Sequence, residues 1–124
     1  IVGLETGSAA KAYPVSALQK TNVVNDRVGG NPVLIVHQPA SDTTTAFLAE
    51  ANGKTLRFKA TDESADSLID LETHSTWNAY GNCIAGRLKG THLTRLILEP
   101  EFWFAWSEFH PNTELYVLSK PHKP

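Results

Sequence analysis

The chain has 124 residues, 41% apolar and 19% charged, which fits one folded domain with its own core and excludes a disordered chain. A formal net charge of -2 excludes the basic face that a nucleic-acid partner requires, and no apolar run approaches the roughly 18 residues of a transmembrane segment. A single cysteine, Cys83, rules out an intrachain disulfide and a multi-cysteine zinc site.

Taken in order, Ile1 to Gly7 reads as a strand ending in a glycine turn, with Lys11-Ala12-Tyr13 returning as its hairpin partner. Pro14 stops that ladder and opens about two helical turns, with Val15, Leu18 and Gln19 on one face. Thr21 to Asp26 is a second extended piece, and Gly29-Gly30 supplies the turn that follows. Pro32 to His37 is the central strand. Its four consecutive aliphatics predict burial on both faces. Pro39 cannot donate to a ladder, so the strand stops there and presents His37, Gln38, Ser41 and Asp42 at a corner.

Thr43 to Ala51 predicts a further strand, and Asn52-Gly53 is the strongest hairpin signal in the chain. Lys54 to Ala60 alternates, with Leu56, Phe58 and Ala60 facing inward. Thr61 to Asp66 is an acidic loop. Short strands follow at 67–71, 76–80 and 92–98. Cys83 sits among semi-apolar neighbours and reads as a buried, inert thiol. Pro100 to His110 predicts a helix, with Phe102, Trp106 and Phe109 on its packing face and Glu99 and Glu101 near its positive end. Glu114 to Leu118 is a last strand, and Lys120 to Pro124 an extended C-terminal tail. The expectation is a mainly β (α+β) single domain over 1–119. Its form is a compact antiparallel sheet or barrel-like domain, with one aromatic-rich helix near the C-terminus.

These pieces, in this order, resemble the domain-of-unknown-function family numbered 3179 nearly end to end. The matching residues are Ile1-Val2-Gly3-Leu4-Glu5 and Lys11-Ala12-Tyr13-Pro14; Val24-Asn25-Asp26 and Val28-Gly29-Gly30-Asn31-Pro32-Val33; and Ser75-Thr76-Trp77. They continue in Ile84-Ala85-Gly86-Arg87-Leu88-Lys89-Gly90-Thr91, Trp103-Phe104-Ala105-Trp106, His110-Pro111-Asn112-Thr113 and Val117-Leu118-Ser119. Proteins of this resemblance usually read Tyr-Cys-Pro-Leu-Cys-Gly-Thr where this chain has His37 to Thr43, and carry a Trp-His-Glu before the Val-Asn-Asp piece. Two thiols and a histidine suit a soft metal or dithiol chemistry. Here Gln38 and Ser41 stand at the thiol positions and Thr21 at the histidine position. The family's Gly-Leu-Leu-Tyr-Asn stretch is replaced by the acidic loop around Asp62-Glu63-Ser64.

The resemblance therefore implies a vestigial site at Thr21, His37, Gln38, Ser41 and Asp42, with no cofactor and no catalytic residue assigned. A Ser-His-acid reading of His37, Ser41 and Asp42 lacks a nucleophile elbow. The histidines His37, His74, His92, His110 and His122 show no metal-ligand spacing, which leaves a long-range set with Asp70 or Glu72. Asp62, Glu63, Asp66, Asp70 and Glu72 lack the pattern of a calcium loop.

Around one helix, Trp103 and Phe104 cannot share the face of Phe102 and Trp106. They form the candidate contact surface for another protein chain, with the Pro/Lys tail as a second possible contact. The leading expectation is a non-catalytic structural or interaction subunit. The alternative is a small-ligand or metal-binding enzyme with a rearranged pocket around His37, Ser41 and Trp77. A third is a carbohydrate or small-molecule binder using an exposed tryptophan. The start at Ile1 reads as a processed or trimmed product. The resemblance implies an extracytoplasmic location.

Overall fold

The computed structural model describes residues 1–118. The chain opens with β1 (Val2–Thr6) and β2 (Ala9–Tyr13), then helix α1 (Val15–Thr21). The meander β3 (Val23–Val28), β4 (Asn31–Gln38) and β5 (Thr43–Leu48) follows, then the tight hairpin β6 (Glu50–Ala51) and β7 (Lys54–Thr55). A second meander comprises β8 (Phe58–Ala60), β9 (Ser67–Asp70), β10 (Thr76–Asn78) and β11 (Cys83–Ala85). Then come β12 (Arg95–Leu96), β13 (Leu98–Pro100), helix α2 (Trp103–Phe109) and β14 (Glu114–Leu115).

Three four-stranded sheets result, in the orders β13-β1-β2-β14, β12-β5-β4-β3 and β11-β10-β9-β8, together with the β6-β7 hairpin. The middle sheet is sandwiched. On one face Val33, Ile35 and Ala46 pack with Leu4, Tyr13 and Leu18. On the other, Leu34, Val36 and Phe47 pack with Phe58, Leu68 and Trp77. Successive side chains of a strand point to opposite faces, so a strand between two cores needs an unbroken apolar run. Residues 32–37 of β4 are all buried, as that run predicts. The hairpin at Asn52-Gly53 forms as expected, with both residues at positive φ (52° and 76°). Cys83 is buried.

Several predicted elements need correction. The long strands expected at 43–51, 54–60 and 92–98 are each broken, and the break moves the chain from one sheet to another. Thus Arg95 pairs with Phe47 in the middle sheet, whereas Leu98 pairs with Leu4 in the outer one. β14 is shorter than expected and runs parallel to β2. Pro14 is the N-cap of α1 and not a residue of its first turn. The second helix starts at Trp103, because Pro100 is held in β13 opposite Val2 and Phe102 is an extended N-cap. No acidic residue lies in its first turn. Of the three aromatics expected to pack, only Trp106 is buried; Phe102 and Phe109 are exposed. The reason is a narrow seat. The Trp106 indole fills the space over Gly3, where a Cβ would come within 2.3 Å of the ring, and packs with Ala10 and Ala12. That slot holds one aromatic side chain. The tail at 120–124, and Ser119 before it, lie outside the described residues.

Candidate functional site

The corner where β4 turns into β5 meets the C-terminal end of α1 and the acidic loop. Asn22 caps α1 in the left-handed region (φ 59°), donating its N–H to Leu18 O at 2.9 Å. Asparagine tolerates this conformation better than most residues. Its carbonyl accepts the His37 N–H at 2.8 Å, which ties the helix end to β4. Its side-chain Oδ1 lies 3.2 Å from His37 Nδ1. On the other side of the ring, His37 Nε2 lies 2.9 Å from Asp42 Oδ1. The imidazole is 4% exposed and both its nitrogens face oxygen atoms. Asp42, also at positive φ (50°), remains on the surface.

The other residues of this corner bond elsewhere. Gln38 Nε2 donates to Asp66 Oδ1 at 2.7 Å. The Ser41 hydroxyl pairs with that of Thr43 at 2.8 Å and not with His37. Thr21 ends α1, and its hydroxyl donates back to Ala17 O at 3.2 Å. The geometry thus joins His37 to Asp42 but leaves Ser41 without a base. A nucleophilic serine needs its base within hydrogen-bond reach. Neither a carboxamide nor a hydroxyl is a soft ligand, and the side chains of Gln38, Ser41 and Thr21 each already have a protein partner.

Trp77 does not join this corner. It is fully buried, its indole N–H donates to Asp70 Oδ2 at 2.8 Å, and its ring meets Phe58 edge-on at 5.5 Å. The two carboxylates considered as metal partners are also engaged. Asp70 accepts from Trp77, from the Thr73 backbone N–H (2.5 Å) and from the Thr73 hydroxyl (2.9 Å). Glu72 takes two bonds from Arg57, through the backbone N–H at 2.7 Å and Nε at 2.8 Å. Partial burial pushes the Glu72 carboxyl up, but these bonds outweigh it and hold the group below the usual carboxylate range. In the acidic loop, Asp62 is held down by the Ser64 hydroxyl and backbone N–H. Among the described residues, no group of three or more His, Cys, Asp or Glu side chains is placed to hold a metal ion. His74 is exposed, His92 pairs with Asn82, and His110 packs at a tilt against Trp106 with Glu5 at 3.2 Å.

The candidate contact residues are placed as surface. Trp103 is 41% exposed and Phe104 is 72% exposed. Phe104 stacks on Phe102 with ring centroids 5.8 Å apart.

Sequence reasoning missed Asn22 and Asp66 at the corner. The position of Asn22, between a helix and a strand, carried a usable signal, since asparagine is a common left-handed helix cap. Asp66 carried none, because its role depends on where the acidic loop folds. Two further networks were also missed. Asn25 exchanges two hydrogen bonds with the Phe58 backbone, both at 2.8 Å, and so joins β3 to β8 across two sheets. Asp26 receives the Tyr13 hydroxyl at 2.9 Å and Lys11 Nζ at 2.8 Å. Burial, with Asp26 alongside, pushes the Tyr13 phenol well above its ordinary range.

No curated protein and no solved structure gives a significant match to the chain. One family model does match, over residues 1–113, which is most of the sequence. With its framework residues now placed in the fold, the chain belongs to the family described as Protein of unknown function (DUF3179).

Proposed function

We propose that this chain is a non-catalytic structural or protein-interaction subunit, a family member whose thiol and histidine site has degenerated. The observation that carries the reading is the set of exposed aromatic side chains at and around α2. Phe102, the N-cap, is exposed, as are Phe104 and Phe109, and Trp103 is partly exposed, while the seven-residue helix itself buries only Trp106. Large apolar side chains grouped on a surface are the usual mark of a partner site. The corner around His37 supports the negative half of the reading, because the side chains of Thr21, His37, Gln38 and Ser41 already have partners within the protein. The rival, a small-ligand or metal-binding enzyme using His37, Ser41 and Trp77, has less support, because Trp77 is in the core and Ser41 is paired with Thr43. We also place the chain outside the cytoplasm, on the family resemblance alone. Among the described residues, no helix is long and apolar enough to cross a membrane.

Size-exclusion chromatography with light scattering on native material tests the reading. A stable assembly with another protein chain, weakened by Trp103→Ala with Phe104→Ala, is expected. A free monomer with no partner would overturn it.

A further inference from the structure

A cleft of about 340 Å³ opens at the seam between the β3-β4 hairpin and the chain that runs from β7 into β8. Its size falls within the range of small-molecule sites. Asn25, one of its walls, bridges the two sides through its bonds to the Phe58 backbone, so the walls are fixed relative to each other. Pro32, Val33, Ala49 and Leu56 give the cleft an apolar lining. All four are buried residues, the first two held by pairing with β3 and the others by core packing.

Two arginines line the cleft from opposite sides of the seam, Arg27 from β3 and Arg57 from the link into β8. Each guanidinium is anchored at one nitrogen. Arg27 Nη1 donates to Gly30 O at 2.8 Å, and Arg57 Nε donates to Glu72 Oε2 at 2.8 Å. Their other guanidinium N–H groups bond to no protein atom among the described residues, and Arg27 has no carboxylate partner there. A planar guanidinium with free donors matches a carboxylate in shape and charge. Anchoring it beforehand lowers the ordering cost of binding.

The charges around the cleft select a monoanion. Asp26 is also a wall, but its Oδ2 already accepts from Lys11 Nζ at 2.8 Å and from the Tyr13 hydroxyl at 2.9 Å. Glu72 is likewise taken up by Arg57. With Lys11 set against Asp26 and Arg57 against Glu72, the charge left over is that of Arg27. Glu50, across the β6-β7 hairpin from Thr55, is not a wall of the cleft. A carboxylate brings a single negative charge, whereas a phosphate monoester brings roughly two. We propose that this cleft binds a small organic carboxylate, with its acid group on Arg27 and Arg57 and its apolar body on Pro32, Val33, Ala49 and Leu56. The site shares no residue with α2 or the His37 corner and asks for no reaction, so it adds to the proposed function without depending on it.

Titration of benzoate into the isotope-labelled full chain, followed by backbone amide shifts, tests the proposal. Saturable shifts are expected at Ala49, Leu56 and Arg57, in the millimolar range of a fragment-sized probe. Benzamide, of the same shape but uncharged, is expected to bind at least about tenfold more weakly. Arg27→Gln is expected to weaken benzoate by about tenfold. Arg27 is on the surface, so unchanged amide dispersion in the sheets shows that this variant folds; the benzamide comparison, made on the native chain, carries the test otherwise. Absence of saturable shifts at the cleft, equal affinity for benzamide, or benzoate binding indifferent to Arg27→Gln in the folded variant would overturn the proposal. Tighter binding of phenyl phosphate than of benzoate would assign the cleft to phosphate groups and would also overturn it.

Discussion

The side chain of Asn25 does the work of a strand. Its amide donates to Phe58 O and accepts from Phe58 N, replacing a ladder step between sheets that do not otherwise pair. Asn25→Ala removes both bonds from part-buried backbone groups of Phe58, and the expected loss is about 1–2 kcal/mol in urea unfolding. A loss indistinguishable from zero would mean that water replaces the amide freely. The neighbouring Tyr13 gives a pH test. Its phenol is raised in the folded state, so the native chain keeps a proton that the unfolded chain releases above about pH 10. Stability from this group is complete below that pH and declines as pH rises beyond it. Tyr13→Phe is expected to lower stability at neutral pH by about 1 kcal/mol and to flatten the alkaline decline. Equal alkaline slopes for the two proteins would contradict the assignment.

At the scale of elements, the framework residues that carry the family resemblance meet as pairs. Asp26 of Val24-Asn25-Asp26 binds Lys11 and Tyr13 of Lys11-Ala12-Tyr13-Pro14. Gly86 lies against Ser75, where a Cβ would come within 2.9 Å, and the Leu88 N–H donates to the Ser75 hydroxyl at 3.2 Å. Trp106 seats on Gly3, and its indole N–H donates to Thr113 at 2.7 Å. Gly3→Ala is therefore expected to displace the indole and cost about 1–3 kcal/mol, with a shift in tryptophan emission. An unshifted spectrum and full stability would show that α2 is loosely seated.

These pairings also explain what was legible beforehand. The central strand, the Asn52-Gly53 hairpin and the aromatic helix are written in local signals. The broken strands are not, because each break is decided by which distant strand takes over the pairing. The burial of one α2 aromatic out of three was likewise unreadable. It depends on the small residues Gly3, Ala10 and Ala12 of another sheet. At the corner, the sequence supplied His37, Gln38, Ser41 and Asp42. It could not supply Asp66 or the turning away of Ser41 toward Thr43.

Across the whole molecule, the middle sheet is the structural centre, with β4 contributing to two cores at once. Ile35→Ala and Leu34→Ala face opposite sides, and each is expected to cost about 2–5 kcal/mol in denaturant unfolding. A strand with one wet face would show one of the two as nearly neutral.

This intact scaffold carries a corner whose side chains are held by protein partners and offer no thiolate. Metal analysis of the natively purified protein tests that claim most directly. The expected result is far less than one equivalent of any transition metal, unchanged by His37→Ala. One tightly held equivalent, lost in His37→Ala, would contradict it.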